Sequence, residues 1–162
     1  MIFVILGSQK FQFNRLLKKI DELIEQGKIH ENVFAQIGYI DYKPKYFEYK
    51  DFLDRDEFVN MIQKANIVIT HGGTGSIIGA VKEGKKVIAV PRLAKYGEHV
   101  DDHQIQIIEQ FDNLQLICGC MDCENILEAL EKVKHYSYKK YISNTNVIIN
   151  SIETFLERNL IH

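Results

Sequence analysis

The sequence predicts an α/β fold in which a parallel sheet is covered by helices on both faces. Short apolar runs that end at glycine or proline alternate with segments whose apolar residues recur at helical spacing, which is the pattern of βαβ units. One apolar run leads directly into the glycine-rich segment His71–Ser76, as in a strand followed by a turn that opens a helix. The composition, with 162 residues of which 46% are hydrophobic and 26% charged, is that of a soluble globular protein. We therefore expect a single domain, residues 1–162.

In the first half of the chain, glycines mark the ends of the predicted elements. The apolar start of the chain stops at Gly7, the first helical periodicity stops at Gly27, and the second apolar run stops at Gly38. Asp54 and Glu57, which lie three residues apart, form a capping-box pattern at a helix start. The predicted elements here are strands at 2–6, 33–37 and 46–49 and helices at 12–26 and 54–65.

The second half continues the alternation. Gly84 ends a helical segment and Pro91 closes the apolar run that follows it. Asp101 and Gln104 repeat the capping-box pattern at the start of a later helix. The predicted elements here are strands at 66–70, 86–90 and 114–117 and helices at 75–83, 101–111, 123–134 and 144–159.

Charge, hydrophobicity and cysteine content exclude several classes of protein. A formal net charge of −2 gives no general basic field, so no nucleic-acid partner is predicted. The apolar run Met1–Leu6 is too short for a signal peptide or a membrane span, and any membrane association is expected to be peripheral or through a partner. The three cysteines are odd in number and match no familiar zinc spacing, which predicts reduced thiols. They are Cys118, Cys120 and Cys123.

The segment His71–Ser76 has the composition of a phosphate-binding turn. Gly72 and Gly73 allow a ligand to approach the backbone closely, and the N–H groups of the next helix lie at the positive end of its dipole. The segment lacks the Lys-Ser/Thr ending of a P-loop and the third glycine of the dinucleotide fingerprint. Phosphate binding is therefore the prediction, and a plain strand-to-helix turn is the alternative. Gly75 and Gly79 give the helix a small face, which we expect to pack closely on the sheet.

A second polar cluster, Pro91–Gln104, follows the next predicted strand and is expected to face the same crevice. Its acids, bases and amide are suited to bind sugar hydroxyls, and its basic side chains are suited to offset diphosphate charge. Two alternatives stay open. One of the residues Asp101 and Gln104 could serve only the helix start, and His99 with His103 could bind a metal ion, although the predicted helix begins between the two histidines.

These two clusters resemble those of the C-terminal domain of family 28 glycosyltransferases, the donor-binding half of the two-domain GT-B architecture. The resemblance covers nearly the whole chain. It is greatest to short, stand-alone members: bacterial capsule and exopolysaccharide transferase subunits of the PssE type and the catalytic subunit of the eukaryotic two-part UDP-GlcNAc transferase. The segments that carry it are Gly7-Ser8, Phe13-Asn14-Arg15-Leu16, His71–Ser76, Glu83-Gly84-Lys85, Pro91-Arg92, Gly97-Glu98-His99 and Asp101-Asp102-His103-Gln104.

The resemblance implies a UDP-sugar-dependent hexosyltransferase that inverts the anomeric centre without a metal ion or other cofactor, because the helix dipole stabilises the leaving diphosphate. It assigns diphosphate binding to Gly7, Ser8, His71, Gly72, Gly73, Thr74, Gly75 and Ser76. It assigns contact with the donor sugar or the ribose to Arg92, Glu98, His99, Asp101, Asp102, His103 and Gln104. It does not assign the catalytic residue, for which the candidates are His99, Glu98 and His103.

The resemblance also implies partners. A hexose (Gal, Glc or GlcNAc) would pass from the UDP-sugar to a lipid-linked saccharide acceptor in capsule or exopolysaccharide synthesis. A separate membrane-anchored subunit would bind the acceptor and hold this chain at the cytoplasmic face of the plasma membrane. One departure, Gly79 where many members carry a ribose-binding glutamate, favours the alternative of a non-catalytic stabilising or regulatory subunit. A sugar-nucleotide epimerase is disfavoured because it needs both halves of the fold in one chain.

Overall fold

The computed structural model describes residues 1–142, which form a parallel sheet with helices on both faces. The strands are β1 (Ile2–Ile5), β2 (Val33–Gln36), β3 (Glu48–Lys50), β4 (Ile67–His71), β5 (Lys86–Val90) and β6 (Cys118–Gly119). The helices are α1 (Asn14–Glu25), α2 (Arg55–Lys64), α3 (Thr74–Lys82), α4 (His103–Asn113) and α5 (Ile126–His135), with short 3-10 turns at Ala94–Tyr96 and Cys123–Asn125. All neighbouring strands are parallel, in the order β3-β2-β1-β4-β5-β6. The predicted α/β class and the parallel sheet are confirmed.

The direction of sheet growth reverses between β1 and β4. The chain builds from β1 to β3 on one side, then returns beside β1 and builds from β4 to β6 on the other. In open α/β sheets, the crevice at the carboxyl ends of strands at such a reversal is the usual ligand site. Ile5 pairs with Thr70, so the segments that begin at Gly7 and Gly72 leave the sheet side by side.

Two apolar cores hold the sheet between its helices. Along β1, Ile2 and Val4 enter one core while Phe3 and Ile5 enter the other, because side chains alternate across a strand. Residues of α1 and α5 complete the first core, and residues of α2, α3 and α4 complete the second. The strands β1, β4 and β5 are buried along nearly their whole length, as expected when both faces of a parallel sheet are covered.

The predicted capping box at the start of α2 is confirmed, because Glu57 N donates to Asp54 Oδ1 (2.8 Å) and Asp54 N donates to Glu57 Oε2 (3.2 Å). The last predicted strand is displaced. It lies at β6 rather than at 114–117, since α4 continues to Asn113 and Gln115 then turns the chain with a φ of 59°.

The predicted capping box of Asp101 and Gln104 is wrong. The helix α4 begins at His103, its N-cap residue is Asp102, and the Asp102 side chain makes no capping hydrogen bond. The Gln104 side chain instead accepts hydrogen bonds from Gly72 N and Arg92 N, in two other loops. The predicted helix at 144–159 lies outside the described residues.

Cys118, Cys120 and Cys123 are buried, unpaired thiols, and burial raises the pKa of Cys120 and of Cys123 to about 12.

In residues 1–142, no helix has the length and hydrophobicity that a membrane span requires.

Candidate functional site

A cleft of about 660 Å³ lies at the carboxyl ends of β1 and β4, where the direction of sheet growth reverses. Its walls include all eight residues predicted to bind the diphosphate and three of those predicted to contact the sugar or ribose. The lining residues are Gly7, Ser8, Gln9, Phe11, His71, Gly72, Gly73, Thr74, Gly75, Ser76, His99, Val100, His103, Gln104 and Ile107. The structure therefore brings the two predicted clusters together in one cleft.

The amino-terminal end of α3 opens onto this cleft. The chain leaves β4 at His71, passes through the N-cap residue Gly73, and enters α3 at Thr74. Glycine offers no capping side chain, and the first helical turn contains no acidic residue. The first N–H groups of a helix have no partner within the helix, so this end presents donors and positive partial charge to the cleft. The arrangement suits an anionic group such as a diphosphate.

The imidazole of His71 fills the space between two glycine turns. A Cβ atom on Gly7 would lie 2.8 Å from His71 Cε1, and a Cβ atom on Gly73 would lie 2.4 Å from His71 Nε2. His71 Nδ1 lies 3.5 Å from the carbonyl oxygen of Ile5. Burial, together with the nearby charge of Arg92, lowers the pKa of His71 to about 4. His71 is therefore neutral at physiological pH, and the two glycines are required by its ring.

Gln104 ties the ends of β4 and β5 together. Its Oε1 accepts hydrogen bonds from Gly72 N (3.1 Å) and Arg92 N (3.0 Å), and the residue is 4% exposed. Both partners are N–H donors, so the amide oxygen must face them. The Gln104 oxygen thus holds the glycine turn and the second loop in register, although the residue type alone suggested a sugar ligand.

Glu98 places its charge on protein partners, whereas Arg92 does so only through Nη2, because its buried Nε and Nη1 have no hydrogen-bond partner among the described residues. Arg92 is 1% exposed and donates from Nη2 to the Leu6 carbonyl oxygen (2.7 Å), and burial lowers its pKa to about 10. Glu98 is 3% exposed and accepts hydrogen bonds from the Arg15 guanidinium and from Leu93 N. Neither residue lines the cleft. Their predicted contact with sugar or ribose stays a prediction.

His99, Asp101 and His103 form a hydrogen-bonded group at the rim of the cleft. Asp101 N donates to His99 Nδ1 (3.4 Å), while Asp101 Oδ1 contacts His103 Nδ1 and accepts from His103 N (3.1 Å). Asp101 Oδ1 also lies 3.2 Å from His99 Nδ1. The bond to His103 lowers the pKa of the Asp101 carboxyl. His99 lies against the ring of Phe11, with 4.8 Å between ring centroids, while His103 is about half exposed. The remaining predicted residue, Asp102, accepts from Ala94 N (2.7 Å).

His99, Asp101 and His103 are also the residues of this cleft that could bind a metal ion. The three ligand atoms lie within 4.8 Å of one another. However, Asp101 Oδ1 already contacts His103 Nδ1, and the Asp101 N–H donates to His99 Nδ1. The site also adjoins the amino-terminal end of α4, whose positive partial charge opposes a cation. Metal-independent chemistry stays a prediction.

A smaller pocket of about 240 Å³ adjoins the cleft between α2 and α3. It shares Gly75 and Ser76 with the cleft and continues past Gly79 to Glu83. Within residues 1–142, no atom outside the adjoining helix backbone lies within 4 Å of the Cβ position of Gly75 or Gly79. The expectation that these glycines pack on the sheet is therefore wrong, because they face open space. The other lining residues are Ile5, Phe58, Val59, Ile62 and Ala80.

Two residues near the cleft were assigned no role from the sequence. Phe11 packs against His99 with the two rings tilted by 39°, and Arg15 pairs with Glu98 across 83 positions of the chain. Arg15 lies in a segment that resembles the family's opening helix. That resemblance predicted where Arg15 lies in the fold but not which residue it binds. The pairing itself has no local sequence signature.

The fold is similar to that of two solved glycosyltransferases. The glycosyltransferase of kitacinnamycin superposes with a TM-score of 0.58 at 14% identity, over 84% of this chain and 35% of that one. MurG of Acinetobacter baumannii gives a TM-score of 0.56 at 16% identity, over 82% and 41%. This six-stranded parallel sheet with helices on both faces is the Rossmann-like architecture of one half of a GT-B glycosyltransferase.

Sequence similarity identifies the family. The model of the glycosyltransferase family 28 C-terminal domain matches residues 1–158, and the chain belongs to this family. It is 30% identical over 95 residues to the UDP-N-acetylglucosamine transferase subunit ALG13 of Yarrowia lipolytica, covering 57% of this chain and 44% of that protein. It is 33% identical over 82 residues to the same subunit of Candida glabrata, covering 50% and 39%. The matched region spans less than half the length of these relatives.

Proposed function

We propose that this chain is the catalytic, donor-binding subunit of a two-component inverting glycosyltransferase. It would move a hexose from a UDP-sugar to a lipid-linked saccharide acceptor in capsule or exopolysaccharide synthesis. The observation that carries the proposal is the cleft, which is lined both by the uncapped end of α3 and by His99 and His103. One wall of this cleft suits an anion, and the other offers groups that bind sugar hydroxyls.

The two cavities suggest how a UDP-sugar would lie. The diphosphate would bind at the N–H groups after Gly73, with His71 fixed beneath the turn. The sugar would lie in the larger cleft beside His99 and His103. The nucleoside would enter the smaller, largely apolar pocket that begins at Gly75. The cavities adjoin at the amino-terminal end of α3, which is where the diphosphate must join the two parts of the donor.

The chemistry follows from this placement. An acceptor hydroxyl would attack the anomeric carbon from the side opposite UDP, forming the new glycosidic bond as the bond to the diphosphate oxygen breaks. The end of α3 would stabilise the charge that develops on the departing UDP, without a metal ion. His99 and His103 face the cleft and are our candidates to accept the hydroxyl proton, while Glu98 is already bonded to Arg15 and Leu93.

A second subunit would supply the acceptor site. The similar ALG13 proteins are named as subunits of a transferase, which supports a partner for this chain. Exposed apolar side chains lie in the loops that follow β2, β3 and β5, at the same end of the sheet as the cleft. They are Tyr39, Phe52, Tyr96 and Val100. We propose this face as the docking surface for a membrane-anchored partner, which would hold the chain at the cytoplasmic face of the plasma membrane.

The proposal is tested by UDP binding and by sugar transfer. UDP at 100 times its dissociation constant is expected to stabilise the chain by about 2.7 kcal/mol, which raises the melting temperature by roughly 5–10 °C. UDP-GlcNAc, UDP-Glc and UDP-Gal are then assayed as donors with the co-expressed partner, for the wild type and for His99→Ala and His103→Ala. Absence of a UDP shift in chain and complex would refute the proposal. UDP binding with transfer unchanged in both variants would support the non-catalytic alternative.

Gly79 offers a gain-of-affinity test of the nucleoside position. Among the described residues, no atom beyond the helix's own backbone lies within 4 Å of a Cβ at residue 79, which lines the pocket between α2 and α3. We expect Gly79→Glu to raise UDP affinity about 10-fold, because a carboxylate there can accept hydrogen bonds from ribose hydroxyls. Gly79→Gln and Gly79→Ala are the matched variants, since both also raise helix propensity. Isothermal titration with UDP decides the matter, and unchanged or weaker binding of Gly79→Glu would contradict this placement of the ribose.

A further inference from the structure

Arg15 connects the first turn of α1 to the loop that follows β5. Its Nε donates to Glu98 Oε1 (3.2 Å) and its Nη2 donates to Glu98 Oε2 (3.0 Å), so the guanidinium grips the carboxylate with two parallel bonds. The Arg15 side chain is 20% exposed and that of Glu98 is 4% exposed. Such a shielded, two-point pair is stronger and more directional than a surface ion pair.

The same two residues hold the loop at further points. Arg15 Nη2 also donates to the Pro91 carbonyl oxygen (3.2 Å), and Glu98 Oε2 accepts from Leu93 N (3.1 Å). The Arg15 guanidinium lies 4.8 Å from the centre of the Tyr96 ring. The loop between Pro91 and Glu98 is therefore closed on itself and fastened to α1.

The Arg15–Glu98 pair forms a clamp, and Glu98 connects this clamp to the cleft. His99 follows directly and lines the cleft, and the group that it forms with Asp101 and His103 begins there. Gln104 fixes the far end of the same segment by its bonds to Gly72 and Arg92. His99 and His103 thus lie on a short segment that is fixed at both ends. Arg15 fixes the end at Glu98, and Gln104 is the fixed residue at the other end.

We propose that Arg15 and Glu98 are positioning residues for the sugar-binding side of the cleft. The inference deepens the proposed function and rests on it for the identity of the ligand. The clamp fixes His99 and His103 against the donor sugar, while the diphosphate is held by the glycine turn, which Arg15 does not touch. Loss of the clamp therefore weakens the sugar contribution to binding and leaves the diphosphate contribution in place.

The test compares UDP with UDP-sugar in Arg15→Lys, which keeps the charge but removes the two-point grip. With the full chain and the tightest-binding of UDP-GlcNAc, UDP-Glc and UDP-Gal, we expect the UDP-sugar affinity to fall about 10-fold while UDP affinity stays within about twofold. Glu98→Gln is the second variant, because its amide oxygen can still accept from Leu93 N. Lys19→Met is the control, because Lys19 lies one turn along α1 and its ion pairs are with Glu22 and Glu124, outside the loop.

Hydrogen exchange supplies a readout that does not depend on ligand. In Arg15→Lys and Glu98→Gln, amides of residues 93–104 are expected to exchange about 10-fold faster, while those of β1 and β4 and the Lys19→Met control stay as in the wild type. A parallel loss of UDP and UDP-sugar affinity, or unchanged exchange in this segment, would overturn the positioning role. A wild-type chain that binds neither UDP nor a UDP-sugar would instead refute the proposed function, and the exchange data would still decide whether the clamp holds the loop.

Discussion

Replacing Gly73 with alanine is expected to reduce UDP affinity at least 10-fold and to lower the free energy of unfolding by about 1–3 kcal/mol. The new Cβ would lie 2.4 Å from Nε2 of His71. The same Cε1 and Nε2 atoms of the imidazole also lie close to Gly7, since a Cβ position there would be 2.8 Å from Cε1. We therefore expect the clash to displace the turn, together with the N–H groups at the start of α3.

Stability and binding are measured together for this variant. Urea unfolding gives the first effect and isothermal titration with UDP gives the second. Gly27→Ala is the matched control: Gly27 has a φ of 65° with open space around its Cβ, so alanine there costs about 1 kcal/mol far from the cleft and leaves UDP binding unchanged. Gly73→Ala combined with His71→Ser should lose less stability than the sum of the two single changes, since serine removes the clash. Wild-type stability and affinity in Gly73→Ala would show that the turn adapts and does not set the site.

The sequence was sufficient to predict the features that depend on local pattern. The run before His71 and the glycines after it specify a strand and a turn within ten residues, and the alternation of elements specifies a parallel sheet. The carboxyl ends of adjacent strands then converge without any knowledge of individual contacts. This is why the cleft contains all the residues of the predicted phosphate turn.

The parts that the sequence did not predict depend on partners distant along the chain. The charge of Glu98 is bound by Arg15 at a separation of 83 residues, and the Arg92 guanidinium is bound by the Leu6 carbonyl at a separation of 86. Charged residue types beside a strand end suit a sugar ligand and an internal hydrogen bond equally well, so composition alone does not separate the two. Gly79 is a second position where the residue type did not predict the environment. A small residue on a helix is compatible with close packing or with a pocket, and here it borders a pocket.

Replacing Gln104 with methionine is expected to lower the free energy of unfolding by about 2–4 kcal/mol, because two buried N–H groups would lose their acceptor at once. The N–H groups of Gly72 and Arg92 both donate to Gln104 Oε1, and all three residues are buried. Methionine has a similar length and volume, so little of the loss comes from packing. UDP affinity is expected to fall as well, since Gly72 begins the turn that leads to α3.

The matched variant for this effect is Gln104→Glu, which keeps a side-chain oxygen in reach of both N–H groups. Urea unfolding at pH 7 should place its stability close to that of the wild type, whereas UDP binding should weaken because the added negative charge lies beside the proposed diphosphate site. Equal losses of stability in Gln104→Met and Gln104→Glu would contradict the assignment, because they would mean that the amide NH₂ group, rather than the oxygen, secures the two loops. The opposite pattern, a stable glutamate variant with weakened UDP binding, would separate the structural task of residue 104 from its electrostatic effect on the ligand.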